Sequence, residues 1–125
     1  MSDVALAEIG QVMVPVTNIE RAVSFYKDVL KLPFLFQAGP TLAFFQCGTV
    51  RLMLDIAEVP DLKPPGSVIY YKVADIQDGY RTLQGRGVVF DGAPHMIAKM
   101  PDHELWMAFF RDPEGNLLAI MCEVR

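Results

Sequence analysis

The chemically richest stretch of the chain is the segment from His95 to Trp106, which holds two histidines among several charged residues. Histidine changes protonation near neutral pH, so His95, His103 and Glu104 could supply a general acid or base at the mouth of a pocket. The same three side chains could instead bind a metal ion, or they could belong to a solvated loop that Pro101 interrupts. The residues alone leave these three interpretations open.

No other catalytic arrangement is visible along the chain. Ser24, Ser67 and the two cysteines show no spacing typical of a nucleophile paired with a base. The glycine pair at 85 and 87 follows a predicted helix instead of opening one, so it does not indicate a phosphate-binding loop. Cys47 and Cys122 lie in apolar, strand-like runs, which favours buried free thiols in a reducing cytoplasm; a disulfide between them is the alternative.

The composition indicates one compact domain covering residues 1–125. The chain is 52% hydrophobic and 21% charged, which is ordinary for a protein that buries its own core. Its net charge is -4 and its basic residues are scattered, which argues against nucleic acid or a membrane surface as a partner. The first residues carry neither a basic cluster nor a long apolar run, so we expect no signal peptide, no membrane span and a cytoplasmic location.

The first half of the chain predicts a β-α-β-β-β module over residues 9–56. Residues 9–16 form an apolar, β-rich run, and Thr17 or Asn18 then caps a helix in which Glu20 could complete a capping box. Apolar residues recur at helical spacing as far as Leu30, and Pro33 ends the helix. Three further strands are predicted at 34–37, 41–47 and 50–56.

The second half repeats this order over residues 67–123, after a proline-rich linker at 57–66. Asp75 caps its helix, Gly85 and Gly87 end it, and the next strand is predicted to begin at residues 88–90. The last two strands flank the turn Asp112-Pro-Glu-Gly115, in which Pro113 favours the first turn position. The repeat predicts an α+β fold of two βαβββ modules, whose mixed curved sheets surround a cavity.

Alternation along each strand sorts the side chains into a helix-facing set and a cavity-facing set. The cavity-facing set contains methionine, which adapts to irregular ligand shapes, and only a few polar groups. The alternative is that these side chains simply fill a core and leave no cavity. We predict ligand contacts from Gln11, Met13, Met53, Val68, Tyr70, Trp106, Ala119 and Met121.

Three stretches, 14–26, 73–76 and 110–116, together resemble the vicinal oxygen chelate superfamily, which includes glyoxalases, bleomycin-resistance proteins, extradiol dioxygenases and methylmalonyl-CoA epimerase. The resemblance extends from Gln11 to Met121 and implies the same two-module fold. It also implies a homodimer, since members often share their sites between two chains. Members that bind a metal place one ligand on each of four strands. By position, those places here hold Gln11, Met53, Val68 and Ala119.

Of these four residues, only Gln11 offers a good donor, so we expect no metal ion and no cofactor. The resulting prediction is a metal-free cavity that binds a small, largely apolar organic molecule, as in the bleomycin-binding members, with lyase- or isomerase-type chemistry as one outcome. One alternative is a metal-dependent lyase, epimerase or dioxygenase whose ligands have moved to His95, His103 and Glu104. A second alternative is a sequestering protein that catalyses nothing.

Overall fold

The computed structural model describes residue 4, residues 6–56 and residues 65–125. It contains two four-stranded mixed sheets, each with a helix on one face, and so confirms the predicted α+β fold of two βαβββ modules. Positions 57–64 of the predicted linker lie outside the described residues. Across the described part of the chain, neither helix is long and apolar enough to cross a membrane.

The first module has the sheet order β1-β4-β3-β2, in which β1 runs parallel to β4. Asn18 caps its helix by accepting a hydrogen bond from the Arg21 backbone N–H at 3.0 Å. The predicted capping box was wrong, because Thr17 is bound by Glu114 of the second module instead. The elements are β1 (Gln11–Pro15), α1 (Ile19–Ser24) continuing as a π-helical turn (Phe25–Val29), β2 (Phe34–Ala38), β3 (Leu42–Cys47) and β4 (Val50–Asp55).

The second module repeats this topology with the order β5-β8-β7-β6. Its helix begins after Asp75, whose carboxylate accepts two backbone N–H groups. Gly87 follows the helix with a φ of +94°, a left-handed conformation that suits glycine. The elements are β5 (Ile69–Lys72), α2 (Ile76–Gly85), β6 (His95–Lys99), β7 (Glu104–Arg111) and β8 (Leu117–Val124).

The strand predicted to begin at residues 88–90 is not formed. Phe90 makes only an isolated bridge to Phe110, and the strand lies later, at β6. The two ends of the segment 95–106 pair as the β6–β7 hairpin, so only its middle is a loop, and His95 on β6 is exposed. Pro101 lies in the turn of this hairpin, where its missing N–H costs no ladder hydrogen bond.

The helix-facing residues of both sheets form one shared core. Val14 and Leu54 of the first sheet and Leu118 of the second belong to it, and Tyr26, Phe45 and Phe110 are its largest fully buried side chains. The two modules therefore pack through their helix sides. The opposite faces of the two sheets, which we call the open faces, do not contribute to this core.

The β7–β8 turn, residues 112–116, fastens the second module to the first. Glu114 accepts hydrogen bonds from the backbone N–H groups of Thr17 and Asn18, from the Thr17 hydroxyl and from the Arg21 guanidinium. Asn116 donates to the Pro15 carbonyl at 2.9 Å. The turn that the sequence indicates as a hairpin corner is thus also the joint between the modules, and we call it the junction turn.

Candidate functional site

The open face of the first sheet carries a row of sulfur and aromatic side chains. Met13 pairs with Met53 across the β1–β4 ladder, and Phe44 and Phe36 continue the row through β3 and β2. The rings of Phe36 and Phe44 lie 4.9 Å apart, which places them on one face. Gln11 joins this surface, since its side-chain amide donates to the Met53 sulfur at 3.8 Å. Polar side chains border this row, because Gln46 and Arg51 pair with each other on the same face and the Arg51 guanidinium lies 5.9 Å from the centre of the Phe44 ring.

The open face of the second sheet has the same character. Tyr70 pairs with Ala119, which pairs with Phe109, and the Tyr70 and Phe109 rings meet edge to face at 6.1 Å. A neighbouring row runs from Lys72 through Met121 and Met107 to His95. Val68 immediately precedes β5.

The structure thus gathers the predicted contact residues into two groups on different sheets. Gln11, Met13 and Met53 share the first open face, and Tyr70, Ala119 and Met121 share the second. Both faces reach solvent in a single chain, since Phe36 is 50% exposed and Tyr70 is 45% exposed. Two pockets of about 520 Å³ each lie on the helix side and touch neither group.

Trp106 lies on the other face of the second sheet. It pairs with Cys122, packs against the core, and donates its indole N–H to Glu104 at 3.1 Å. A pocket of about 520 Å³ beside the start of α2 is lined by Trp106 and Glu104. Trp106 is therefore separated by the sheet from the other predicted contact residues.

The three candidate catalytic residues do not converge. His95 is exposed on the open face, with Nδ1 3.3 Å from the Ala93 carbonyl oxygen. His103 lies at the β6–β7 turn, 2.7 Å from Asp102, while Glu104 faces the helix side with Trp106. Among the described residues, no group of three His, Cys, Asp or Glu side chains could hold a metal ion. The relocated metal site is not assembled in this arrangement.

His103 belongs instead to a charged group at the end of the hairpin. The Arg125 guanidinium donates to Asp102 at 2.7 Å and to Glu123 at 3.0 Å. Hydrogen bonds from Arg125 and then from His103 lower the pKa of the Asp102 carboxyl. This group ties the chain end to the hairpin turn, which is a structural role.

The comparisons with known proteins agree with this geometry. A model of the Glyoxalase/Bleomycin resistance protein/Dioxygenase superfamily matches residues 8–120. The chain belongs to this superfamily. A relative, the uncharacterized protein YraH of Bacillus subtilis, is 28% identical, and the match covers 88% of this chain and 94% of YraH.

Two solved structures are similar to this chain over nearly its whole length. A superfamily member from Sphaerobacter thermophilus is 25% identical with a TM-score of 0.77, covering 94% of this chain and 98% of its own. TnmS3, an antibiotic binding protein from Streptomyces sp. CB03234, is 25% identical with a TM-score of 0.74, covering 96% and 98%.

Two of the four positions compared with metal ligands above, Met53 and Ala119, have apolar neighbours in this chain. Met53 lies between Met13 and Phe44, and Ala119 lies between Tyr70 and Phe109. A divalent cation needs several nitrogen, oxygen or anionic sulfur donors, which these neighbours do not offer. The side chains at these two positions do not fit a divalent cation.

Several open-face residues were not among the predicted contacts. Phe36, Phe44, Met107 and Phe109 belong to the same rows as the predicted residues. Alternation about the buried Phe110 could have identified Phe109, but Phe36, Phe44 and Met107 are placed by the pairing of neighbouring strands, which the sequence does not show.

Proposed function

We propose that this superfamily member binds a small, largely apolar organic molecule on its open faces, without a metal ion. The observation that carries the proposal is the row Met13–Met53–Phe44–Phe36, whose side chains offer thioethers and aromatic rings where a metal site would need donors. Methionine and phenylalanine adapt to and stack on apolar ligands. Gln11 supplies an amide that can orient such a ligand.

In the first form of this proposal, the protein binds the molecule and catalyses no reaction. TnmS3 is an antibiotic binding protein, and its likeness to this chain extends over nearly the full length of both. A sequestering role requires only affinity, and the two open faces supply apolar surface for it. Lyase- or isomerase-type chemistry is the second form, and the exposed His95 at the end of the Met121–Met107 row favours it.

The first test replaces one open-face methionine. Met53→Gln preserves length but introduces an amide that an apolar ligand cannot satisfy, so we expect about ten-fold weaker binding of the neutral fluorescent probe N-phenyl-1-naphthylamine. Met96→Gln is the matched control, because Met96 pairs with Trp106 and so lies on the other side of the sheet. Equal affinity of the two variants would contradict the proposed site, and stoichiometric metal in elemental analysis would contradict its metal-free character.

A second copy of the chain is the proposed partner that closes the open faces. Each face exposes apolar side chains, Phe36 and Tyr70 among them, and the shared core already uses the opposite side of each sheet. A homodimer would cover these faces and leave room for a ligand between them.

The free thiols of Cys47 and Cys122 fit a reducing compartment, so we propose the cytoplasm as the location of this protein.

Sedimentation velocity should therefore show a species of about twice the 14.0 kDa chain mass. Phe36→Glu places a charge on the open face and should shift the protein toward the monomer. Val89→Glu is the control, since Val89 is 82% exposed in a loop and should leave the dimer intact. A monomer at micromolar concentration, or equal behaviour of the two variants, would contradict this arrangement.

A further inference from the structure

A pocket of about 520 Å³ lies on the helix side of the second sheet, where the start of α2 faces the first residues of β7 and the last residues of β8. We call it the Trp106 pocket, because Trp106 is the aromatic side chain in its lining. Ile76, Cys122 and Val124 add apolar surface to this lining. The volume is in the range of small-molecule sites, which span roughly 300–1,000 Å³. The second sheet separates this pocket from its open face, so a ligand here would be distinct from one bound there.

Glu104 places a carboxylate beside the indole in this pocket. Its Oε1 atom accepts a hydrogen bond from the Trp106 indole N–H at 3.1 Å. That contact needs one acceptor oxygen, which the neutral amide of a glutamine would also supply. Glu104 is only partly exposed, and carboxylates that are shielded from water are usually paired with a cation. The negative charge of Glu104 is therefore more than its contact with the indole requires.

Glu104 has no cationic partner within the part of the chain that the structure describes, since none of the ion pairs found there includes it. Lys99 lies opposite Glu104 in the β6–β7 ladder, but the two form no ion pair and Lys99 does not line the pocket. Arg125 lines the pocket, but its guanidinium is bound by Asp102 and Glu123. The Glu104 carboxylate is thus open to a cation from solution.

The other charges around the pocket offset one another. Asp75 lines the pocket, and its carboxylate accepts the backbone N–H groups of Gln77 and Asp78, so it balances the positive end of the α2 dipole. Glu123 is paired with Arg125 at 3.0 Å. The carboxylate beside the indole is left unbalanced, and its field favours a positively charged ligand over a neutral or negative one.

A metal ion is a poor candidate for this ligand. Among the described residues, no group of three His, Cys, Asp or Glu side chains could hold one. An organic ammonium ion needs fewer protein groups, since a carboxylate and an aromatic ring both attract its charge. Its carbon skeleton can also use the apolar part of the lining, which a metal ion cannot.

We propose that the Trp106 pocket is a second binding site, specific for a small organic amine in its protonated form. The ammonium group donates a hydrogen bond to Glu104 and lies near the indole, and the apolar body of the amine packs against Ile76 and Val124. The site contains no residue of the open faces, so it is independent of the function proposed above.

The test compares two probes that differ in charge and hardly in shape. Benzylamine is protonated at pH 7, and benzyl alcohol has a neutral hydroxyl in place of the ammonium group. The chain contains one tryptophan, so a single indole ¹H–¹⁵N signal reports on this pocket. In millimolar titrations, benzylamine should shift the Trp106 indole signal and bind about three- to ten-fold more tightly than benzyl alcohol. Added salt should reduce this difference.

Glu104→Gln removes the charge but keeps an acceptor for the indole N–H, so its melting temperature should stay close to that of the wild type. Benzylamine should bind this variant about three- to ten-fold more weakly than the wild type, whereas the affinity for benzyl alcohol should not change. Glu20→Gln is the matched control, because Glu20 is exposed on α1 in the other module and should leave both affinities unchanged.

Any of three results would overturn the proposed site: no shift of the indole signal with benzylamine, equal affinity of the wild type for the two probes, or wild-type affinity of Glu104→Gln for benzylamine. A shift of the Met53 methyl signal without a shift of the indole signal would place the amine on the open face and would also overturn it. The comparison of the two probes uses the wild type alone, so it does not depend on the folding of any variant. The outcome of the Met53→Gln test leaves these results unchanged.

Discussion

Asp112→Asn is expected to lower the free energy of unfolding by about 3–5 kcal/mol, the largest effect that we predict. Asp112 is 5% exposed, and its carboxylate accepts four hydrogen bonds within 2.8–2.9 Å. An asparagine would present an NH₂ group to donors that need an acceptor. The four donors are the Tyr26 hydroxyl, the backbone N–H groups of Glu114 and Asn116, and the Asn116 side-chain amide.

Urea unfolding measures this loss, and Asp28→Asn provides the control because Asp28 is exposed on the π-helical turn. The control should change stability by no more than about 0.5 kcal/mol. Tyr26→Phe should lose about 1.5–3 kcal/mol, since it removes one of the four hydrogen bonds to the carboxylate. Asp112→Asn with near-wild-type stability would show that the junction turn does not fasten the modules.

Glu114→Gln is expected to lower the free energy of unfolding by about 2–3 kcal/mol at neutral pH. The Glu114 side chain is 2% exposed and forms an ion pair with Arg21 at 2.7 Å, beside the N-terminus of α1. The backbone N–H groups of Thr17 and Asn18 donate to the same carboxylate. A glutamine keeps one acceptor oxygen but turns an NH₂ group toward the remaining donors.

The loss of unfolding free energy in Glu114→Gln should depend on pH. Burial, the largest influence, raises the pKa of Glu114, but the hydrogen bonds from Thr17, Arg21 and Asn18 outweigh it and hold the pKa below the ordinary value of 4.5. Glu114 therefore stabilises the fold fully above pH 4.5, and this contribution is lost as the pH falls through the lowered pKa. The stability difference between wild type and Glu114→Gln should shrink in that window.

Glu20→Gln is the control, because Glu20 is exposed in the first turn of the same helix. Its unfolding free energy should follow that of the wild type within about 0.5 kcal/mol at each pH. If the unfolding free energy of Glu114→Gln stayed below that of the wild type by the same amount from pH 7 to acidic pH, the role given to the carboxylate charge would be contradicted.

The order of helices and strands could be predicted because helix caps and strand alternation depend only on residues that are near one another in the sequence. Asn18 and Asp75 are caps that act within one turn of their helices, and alternation in β1 and β4 places Val14 and Leu54 in the core. The internal repeat then gave the two-module architecture. Local periodicity and turn chemistry therefore account for most of the fold.

Features that depend on distant contacts could not be predicted in this way. The position of Trp106 depends on the register of β7 against β8, which pairs it with Cys122 on the helix side. The hydrogen bonds of Glu114 join residues 93 or more positions apart, and nothing local to the turn indicates their partners. A pocket of about 520 Å³ between the β3–β4 turn and α2 likewise arises only when the helix sides of both modules meet.

The most direct test of ligand binding on the open faces uses the methionine methyl groups as reporters. Met13, Met53, Met107 and Met121 lie on the open faces, while Met96 and Met100 lie elsewhere on the β6–β7 hairpin. In ¹H–¹³C spectra of methionine-labelled protein titrated with N-phenyl-1-naphthylamine, the first four methyl signals should shift together and the other two should not. Shifts confined to Met96 and Met100, or none at the open-face methionines, would contradict the proposed site.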